Sequence, residues 1–248
     1  MGETSACEAQ LRAQPNARDL WSRAGPAERV FTACRSKAHQ PHMRSLILPK
    51  SIVHLLALTP LAILLWQAWS VAKTGGNALG ADPVAEIEHR LGLWALRLLV
   101  ITLAITPLRQ LTGWNVLVRF RRMLGLYAFA YATLHFAAYL GLDLRGYWTQ
   151  VFEDIAKRPY ITVGFTAWLL LVPLAVTSTS GWIRRLGRNW ARLHMLVYPV
   201  AVLAVLHFWW LVKSDLREPA LYAVIVALLL GWRTWKRWKP RTSLSARA

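Results

Sequence analysis

Two histidines lie deep inside apolar segments, where ionisable side chains are costly and usually functional. His135 is thirteen residues past Arg122, and His207 is fifteen residues past Arg192. At about 1.5 Å of rise per helical residue, both imidazoles lie roughly 20 Å from the basic boundary of their segment. Two imidazoles at one depth on different helices suit the axial positions of a heme iron. A zinc ion would require further ligands at that depth, and none is evident.

Two further histidines lie near the basic boundary itself. His194 precedes His207 by thirteen residues, which is about 20 Å along a helix and too far to share one iron. His54, four residues past Lys50, has a similar inner depth. These two side chains either form a second, inner site or only hydrogen-bond neighbouring helices.

Two more candidates lie near the start of the second apolar segment, at the end away from its basic boundary. His89 precedes that segment near the depth of the first site, and it is either part of the site or a solvated loop residue. Arg97 lies well inside the segment, so its guanidinium either pairs with a heme propionate or extends to the interface. The predicted cofactor-binding residues are His135, His207, His194, His54, His89 and Arg97, and the predicted metal ligands are His135 and His207.

The elements that must position these residues are six apolar segments. Hydrophobic residues make up 55% of the 248-residue chain and charged residues 17%, whereas soluble domains have about 25% charged residues. Each segment is close to the roughly 20 residues that cross a bilayer as a helix. The segments are 51–72, 91–108, 123–141, 160–177, 194–212 and 220–236. We therefore predict an all-α polytopic membrane protein, a six-transmembrane-helix bundle with heme between helices three and five.

Most of the net charge of +18 flanks these segments. Arginines and lysines without acids fill the second and fourth loops and the C-terminal tail, whereas all eight acids after residue 43 lie in loops 73–90, 142–159 and 213–219. The positive-inside rule then predicts an inner-membrane protein with both termini in the cytoplasm. Basic residues beside apolar runs indicate membrane lipid as the partner, and no nucleic acid.

The N-terminal stretch differs in composition from the rest. Residues 1–42 are polar and lack the apolar core of a signal peptide, so we expect a disordered extension or a misassigned start before Met43. The domain prediction is 1–42 as that extension, 43–240 as the membrane heme domain and 241–248 as a cytoplasmic tail. Cys7 and Cys34 are too few for a disulfide framework or an iron–sulfur cluster. No internal repeat or nucleotide-binding glycine motif is evident.

The histidine pattern resembles the ferric-reductase-type transmembrane domain, although Arg121 stands where that family usually has a further histidine. A narrower resemblance, over about residues 43–240, is to the MsrQ family of heme-binding membrane subunits of bacterial periplasmic methionine sulfoxide reductase systems. The motifs that carry it are LGADP (79–83) with His89 and Gly92, ITPLR (105–109), RRMLGL (121–126), YATLH ending at His135, KRPYITVG (157–164), TSTSGW (177–182) and RLHMLVY containing His194.

The MsrQ resemblance implies an electron-transfer subunit rather than a catalytic one. Members of that family pass electrons to MsrP, a periplasmic molybdenum-cofactor enzyme that repairs oxidised proteins by reducing methionine sulfoxide. The family is associated with heme b and FMN, and with the quinone pool or a cytoplasmic flavin reductase as electron donor. His135 and His207 would be the axial ligands. Two alternatives stay open: a ferric reductase or other b-type cytochrome subunit, and a non-redox small transporter or scaffold with structural histidines.

Overall fold

A computed structural model describes residues 50–212 and 215–238. All secondary-structure elements in this part of the chain are helices. The predicted extension 1–42 and tail 241–248 lie outside the described residues. Within them, the helices long and apolar enough to cross a membrane are Lys50–Thr74, Pro83–Thr112, Asn115–Asp143, Pro159–Val176 and Arg188–Leu211. The chain is a multi-pass all-α membrane protein, as predicted.

The helices are numbered here in chain order. They are α1 (Lys50–Thr74), α2 (Pro83–Thr112), α3 (Val118–Ala138), α4 (Trp148–Lys157), α5 (Pro159–Val176), α6 (Ser180–Leu186), α7 (Arg188–Leu193), α8 (Val197–Leu211) and α9 (Arg217–Trp238). Short 3-10 segments, Asn115–Leu117 and His194–Leu196, precede α3 and α8, and a π-helical turn, Tyr139–Asp143, follows α3. The sixth predicted span, 220–236, lies within α9. That helix is long enough to cross a membrane, but its basic C-terminal end makes it less apolar than the five helices above.

Helix α2 begins earlier than its apolar segment. The Asp82 carboxylate accepts the backbone N–H groups of Val84 and Ala85 at 3.1 Å each, and Pro83 occupies the first turn. Both features are strong helix-start signals. The predicted loop 73–90 is therefore wrong for its second half, and His89 lies on a helix rather than in a loop. The hydropathy pattern missed these turns because they are polar.

The predicted loop 142–159 also contains a helix. The chain turns through Arg145 and Gly146, with φ of 48° and 83°, and then forms α4. Val151, Phe152 and Ile155 recur at helical spacing on α4, which is the pattern of an amphipathic helix. Such a helix is too short and too polar to register as a membrane span, so the hydropathy pattern did not indicate it.

Helix α1 is joined to α3 by a tyrosine hydroxyl. Tyr131, which is 2% exposed, donates to the carbonyl of Ala57 at 2.8 Å and accepts the N–H of Leu61 at 3.1 Å. The hydroxyl thus replaces the direct hydrogen bond between these two residues beside Pro60, a position where helices commonly bend. The contact attaches α1 to α3 at Tyr131, one helical turn before His135.

The bundle interior is formed mainly by α2 and α8. Among the five spans, α2 has the largest buried fraction, and Val200 and Ala201 of α8 are fully buried. By contrast, α1 leaves Leu55, at 67%, and Trp66, at 72%, exposed. Apolar side chains on that surface suit contact with lipid acyl chains. The deep histidines therefore lie on helices that pack against the protected centre.

Candidate metal centre

The two deep histidines meet between α3 and α8. The ring centroids of His135 and His207 are 6.2 Å apart, with an interplanar angle of 72°. Two nitrogen ligands on opposite sides of one metal ion, each at about 2 Å, lie about 4 Å apart, and each imidazole centroid is about 1 Å further out. Trans imidazoles on one metal ion thus have centroids about 6 Å apart. The observed separation fits that arrangement.

A backbone carbonyl orients each imidazole. His135 Nδ1 donates to the carbonyl of Glu88 on α2 at 2.9 Å, and His207 Nδ1 donates to the carbonyl of Tyr160 on α5 at 2.7 Å. A carbonyl only accepts, so each Nδ1 carries the hydrogen and each Nε2 retains its lone pair. Outer hydrogen bonds of this kind orient a metal-ligating histidine and raise its basicity.

Two glycines make room for the imidazoles, and the sequence patterns assigned them no role. A Cβ atom at Gly164 would lie 2.6 Å from His207 Nδ1, and one at Gly92 would lie 3.3 Å from His135 Nδ1. The first distance is below van der Waals contact, and the second is tight. Each glycine lies one helical turn after the residue whose carbonyl accepts the imidazole hydrogen bond, so it allows the helix backbone to approach the ring closely. The donor chemistry of the two imidazoles fits a pair of histidine ligands to one metal ion such as heme iron.

The two histidine units repeat along the chain with an offset of 72 residues. The expectation of no internal repeat is therefore wrong at the level of helix pairs. The signal was present but weak: the tripeptide Leu-His-Phe occurs at 134–136 and 206–208, and Met-Leu at 123–124 and 195–196. Each unit comprises a carbonyl, a glycine one turn later and a histidine 47 residues after the carbonyl, namely Glu88, Gly92 and His135, then Tyr160, Gly164 and His207.

Aromatic packing joins the two units next to the histidines. The ring centroid of Phe136 lies 4.9 Å from that of Trp168 and 5.7 Å from that of Phe165, both on α5. The Trp168 indole N–H also donates to the Thr133 hydroxyl at 3.1 Å. Helix α3 is thereby packed against α5 at the level of His135.

His89 lies on the edge of the centre, on the same helix as the carbonyl of Glu88. Its Nε2 atom is 3.9 Å from Glu218 Oε2, and its ring centroid is 5.9 Å from that of Phe208, the residue after His207. The neighbouring Glu88 side chain has a buried Oε1 atom without a hydrogen-bond partner among the described residues. The sequence pattern had counted Glu88 as a loop acid, so it missed this half-buried carboxylate with one buried oxygen atom.

Arg97 contacts protein groups rather than extending freely. Its Nε donates to the Tyr222 hydroxyl at 3.0 Å, and its guanidinium carbon lies 5.1 Å from the centroid of the Trp94 ring. These contacts hold the guanidinium between α2 and α9. Its predicted pairing with a heme propionate stays a prediction.

The two inner histidines have different neighbours. His54 is exposed, with Nδ1 2.6 Å from the Tyr127 hydroxyl. His194 stacks on Trp190 at 3.9 Å between ring centroids, and its Nδ1 bonds the Trp190 carbonyl at 3.1 Å. Within the described ranges, no hydrogen bond or ring contact joins His54 to His194, and no cluster of three or more His, Cys, Asp or Glu residues could hold a metal ion. A second, inner site stays a prediction.

This fold and histidine pair define a class of membrane protein. Residues 91–205 match the family described as ferric reductase like transmembrane component, so the chain carries a membrane domain of the ferric reductase type. The motif resemblance to that wider class is confirmed.

Comparison with individual relatives narrows the class. The protein-methionine-sulfoxide reductase heme-binding subunit MsrQ of Xanthomonas axonopodis pv. citri is 72% identical over 204 residues, which covers 82% of this chain and 94% of the relative. Its counterpart in Xanthomonas campestris pv. campestris is 75% identical over 197 residues, covering 79% and 90%. The MsrQ of Caulobacter vibrioides is 47% identical over 186 residues, covering 75% and 86%. The chain belongs to the MsrQ family.

Proposed function

We propose that the chain is an inner-membrane b-type cytochrome with both termini in the cytoplasm. It passes electrons from the quinone pool or a cytoplasmic flavin reductase to MsrP, the periplasmic molybdenum-cofactor methionine sulfoxide reductase, and so supports repair of oxidised periplasmic proteins. The observation that carries the proposal is the pair His135 and His207, 6.2 Å apart with both Nδ1 atoms bound to backbone carbonyls. The names of the relatives, heme-binding subunits of protein-methionine-sulfoxide reductase, support the same cofactor and system.

His135 and His207 would hold the iron of heme b. When bound, heme supplies a one-electron couple, while the protein supplies orientation and electrostatics. With both histidines as ligands, the iron would offer no free site to oxygen or a substrate, which would favour electron transfer over chemistry on either. The carbonyls of Glu88 and Tyr160 hold the imidazole rings in place, and the rings lie half-buried beside the protected faces of α2 and α8.

The two ends of the bundle would face different redox partners. The acid-bearing end, formed by the loops around residues 75–82, α4 and the start of α9, is mixed in charge and would dock MsrP transiently. The basic end would face the electron donor. FMN belongs to the proposal through the family resemblance alone. Its phosphate would suit the basic-end residues Arg121, Arg122, Arg184 and Arg185, but the positive-inside rule accounts for the same arginines.

The first test is the heme content of the purified full chain. We expect a b-type spectrum on dithionite reduction and one heme per chain by the pyridine-hemochrome method. His135→Ala and His207→Ala should each abolish that heme, because the remaining imidazole cannot fill both axial positions. His54→Ala is the matched control, since His54 is exposed and bonds only Tyr127 among the described residues.

Each other outcome has a defined meaning. Two hemes per chain, one of them lost in His54→Ala or His194→Ala, would place a second heme at the inner histidines. Unchanged heme content in both His135→Ala and His207→Ala would contradict the assigned ligands. A colourless protein after heme supplementation would overturn the electron-transfer proposal and favour a transporter or scaffold.

A further inference from the structure

A buried carboxylate lies between the two histidine units. Asp154 on α4 is 6% exposed and is the only charged residue in the buried class within the described part of the chain. Its Oδ2 accepts a hydrogen bond from the Tyr139 hydroxyl at 2.7 Å, and its Oδ1 lies 3.4 Å from Arg158 Nε. Asp is almost never buried unless it is paired. Tyr139 and Arg158 are the two partners that make this burial possible.

The tyrosine partner leads to the first histidine. The backbone N–H of Tyr139 bonds the carbonyl of His135, one helical turn earlier on α3. Beyond Tyr139 the chain forms the π-helical turn Tyr139–Asp143, in which the N–H of Leu144 bonds the Tyr139 carbonyl at 3.0 Å. Short π-helical turns are rare and occur frequently at functional sites. The residue that bonds Asp154 through its hydroxyl therefore also bonds the turn that carries His135 through its backbone.

The arginine partner leads to the second histidine. Arg158 lies between α4 and α5, and its carbonyl accepts the N–H of Ile161 at 2.9 Å. The Tyr160 hydroxyl and the Asp154 carboxylate raise the pKa of the Arg158 guanidinium, whose Nε atom lies 3.4 Å from Asp154 Oδ1. The carbonyl of Tyr160 in turn accepts the Nδ1 hydrogen of His207 at 2.7 Å.

We propose that Asp154 is a positioning residue that fixes the separation of His135 and His207. It does so by joining Tyr139, on the α2–α3 unit, to Arg158, at the start of the α5–α8 unit. Backbone hydrogen bonds hold each histidine within its own unit but do not tie one unit to the other. The neutral hydrogen bond from the Trp168 indole to the Thr133 hydroxyl also joins the two units. The hydrogen bond to the Asp154 carboxylate adds a second directional tie, and a charge-assisted bond is the stronger kind. The inference rests on the proposed function, in which the two histidines hold one heme iron.

Helix α4 offers a matched control for the test. Glu153, the residue before Asp154, pairs with Lys157 at 3.2 Å in the same i to i+4 geometry as Asp154 with Arg158. The Glu153 side chain is 66% exposed and that of Asp154 only 8% exposed. Asp154→Asn and Glu153→Gln therefore remove the same charge from adjacent residues, one buried between the units and one on the surface.

The experiment measures the ferric heme in the purified full chain by electron paramagnetic resonance, together with heme affinity. We expect Asp154→Asn and Tyr139→Phe to shift the g-values and to weaken heme binding by about tenfold, the usual range for loss of an outer-shell partner. The double variant should show no larger change than Asp154→Asn alone, because both substitutions break one link. Glu153→Gln should match the wild type, and a general loss of stability would not by itself shift the g-values.

Several outcomes would overturn the inference. If Asp154→Asn and Tyr139→Phe keep wild-type g-values and heme affinity while His135→Ala loses its heme, the link has no positioning role and the proposed heme function stands. If His135→Ala keeps its heme, the proposed ligand assignment fails instead. Should Asp154→Asn fail to fold, Tyr139→Phe decides alone, since it removes a single hydroxyl and leaves the Asp154–Arg158 pair in place.

Discussion

At the scale of residues, backbone groups orient the histidines of the candidate site. Because carbonyl oxygens of α2 and α5 accept the Nδ1 hydrogens, the side chains at those two positions are free to differ. They are Glu88 in one unit and Tyr160 in the other. The residues one turn later cannot differ in the same way, and both Gly92 and Gly164 lack a side chain where the ring lies. A requirement for space at the backbone therefore explains which positions of the two units agree.

Gly164→Ala tests this requirement. The added Cβ would lie 2.6 Å from His207 Nδ1, so the ring or helix α5 must move, and we expect a loss of about 1–3 kcal/mol of stability together with loss of heme. Gly92→Ala, with its nearest contact at 3.3 Å, should have a smaller effect in the same direction. Heme retention and thermal unfolding in detergent measure both.

Gly231→Ala is the control for these substitutions. Gly231 lies in helix α9, and a Cβ there would meet no atom within 4 Å. Alanine is the better helix former by about 1 kcal/mol, so this variant should be as stable as the wild type or more stable. Equal heme retention in Gly164→Ala and Gly231→Ala would contradict the steric argument.

At the scale of elements, helix α1 depends on a side chain of another helix. The hydroxyl of Tyr131 lies between the Ala57 carbonyl and the Leu61 N–H, so it completes the hydrogen bonding of α1 next to Pro60. A backbone group left without a partner in an apolar setting is costly. The packing of α1 on α3 is thus coupled to the integrity of α1 itself.

Tyr131→Phe should lower the stability of the protein by about 1–3 kcal/mol, the typical result of leaving buried donors and acceptors unpaired. The measurement is the thermal unfolding midpoint in detergent. Tyr127→Phe, one turn earlier on α3, is the matched control, because the Tyr127 hydroxyl bonds the exposed His54 and its loss is compensated by solvent. Indistinguishable midpoints for the two variants would show that the inserted hydroxyl does not stabilise α1.

Hydropathy predicted the long elements and missed the polar ones. It predicted the five helices that are long and apolar enough to cross a membrane. Each contains a mostly apolar run of about 20 residues, which is the length that a bilayer requires. It missed the first turns of α2, whose start is set by the Asp82 cap, and all of α4, whose apolar residues occupy one face only. The first omitted stretch contains Glu88, whose carbonyl accepts the hydrogen bond from His135. The second contains Asp154, the carboxylate proposed above as a positioning residue.

At the scale of the whole molecule, the charge distribution orients the chain. Glu153 on α4 and Arg184 on α6 are both exposed and belong to opposite ends of the spans. Acids gather at the end that carries α4, and arginines without acids gather at the end that carries α6 and α7. By the positive-inside rule, we expect the α6 end to face the cytoplasm and the α4 end to face the periplasm.

Labelling of single cysteines checks this orientation. In a chain with Cys7 and Cys34 replaced by serine, Glu153→Cys should react with a membrane-impermeant maleimide applied to spheroplasts. Arg184→Cys should react only after the membrane is permeabilised, because the positive-inside rule predicts that its end of the bundle faces the cytoplasm. The reverse pattern would place the termini in the periplasm and would exclude delivery of electrons to a periplasmic partner through the acid-bearing end.

The sequence by itself determined the membrane class, the apolar spans, the family and the two deep histidines. It could do so because hydropathy and helical rise are properties of each segment taken alone. Depth along a helix is one coordinate of three, so depth matching could not establish which histidines are neighbours. Only the tertiary structure decided that His135 and His207 meet, that His54 and His194 contact Tyr127 and Trp190 instead, and that Gly92 and Gly164 lie against the two imidazoles. It also placed the buried Asp154 beside the Tyr139 hydroxyl. Those contacts depend on how one helix packs against another, which no single segment encodes.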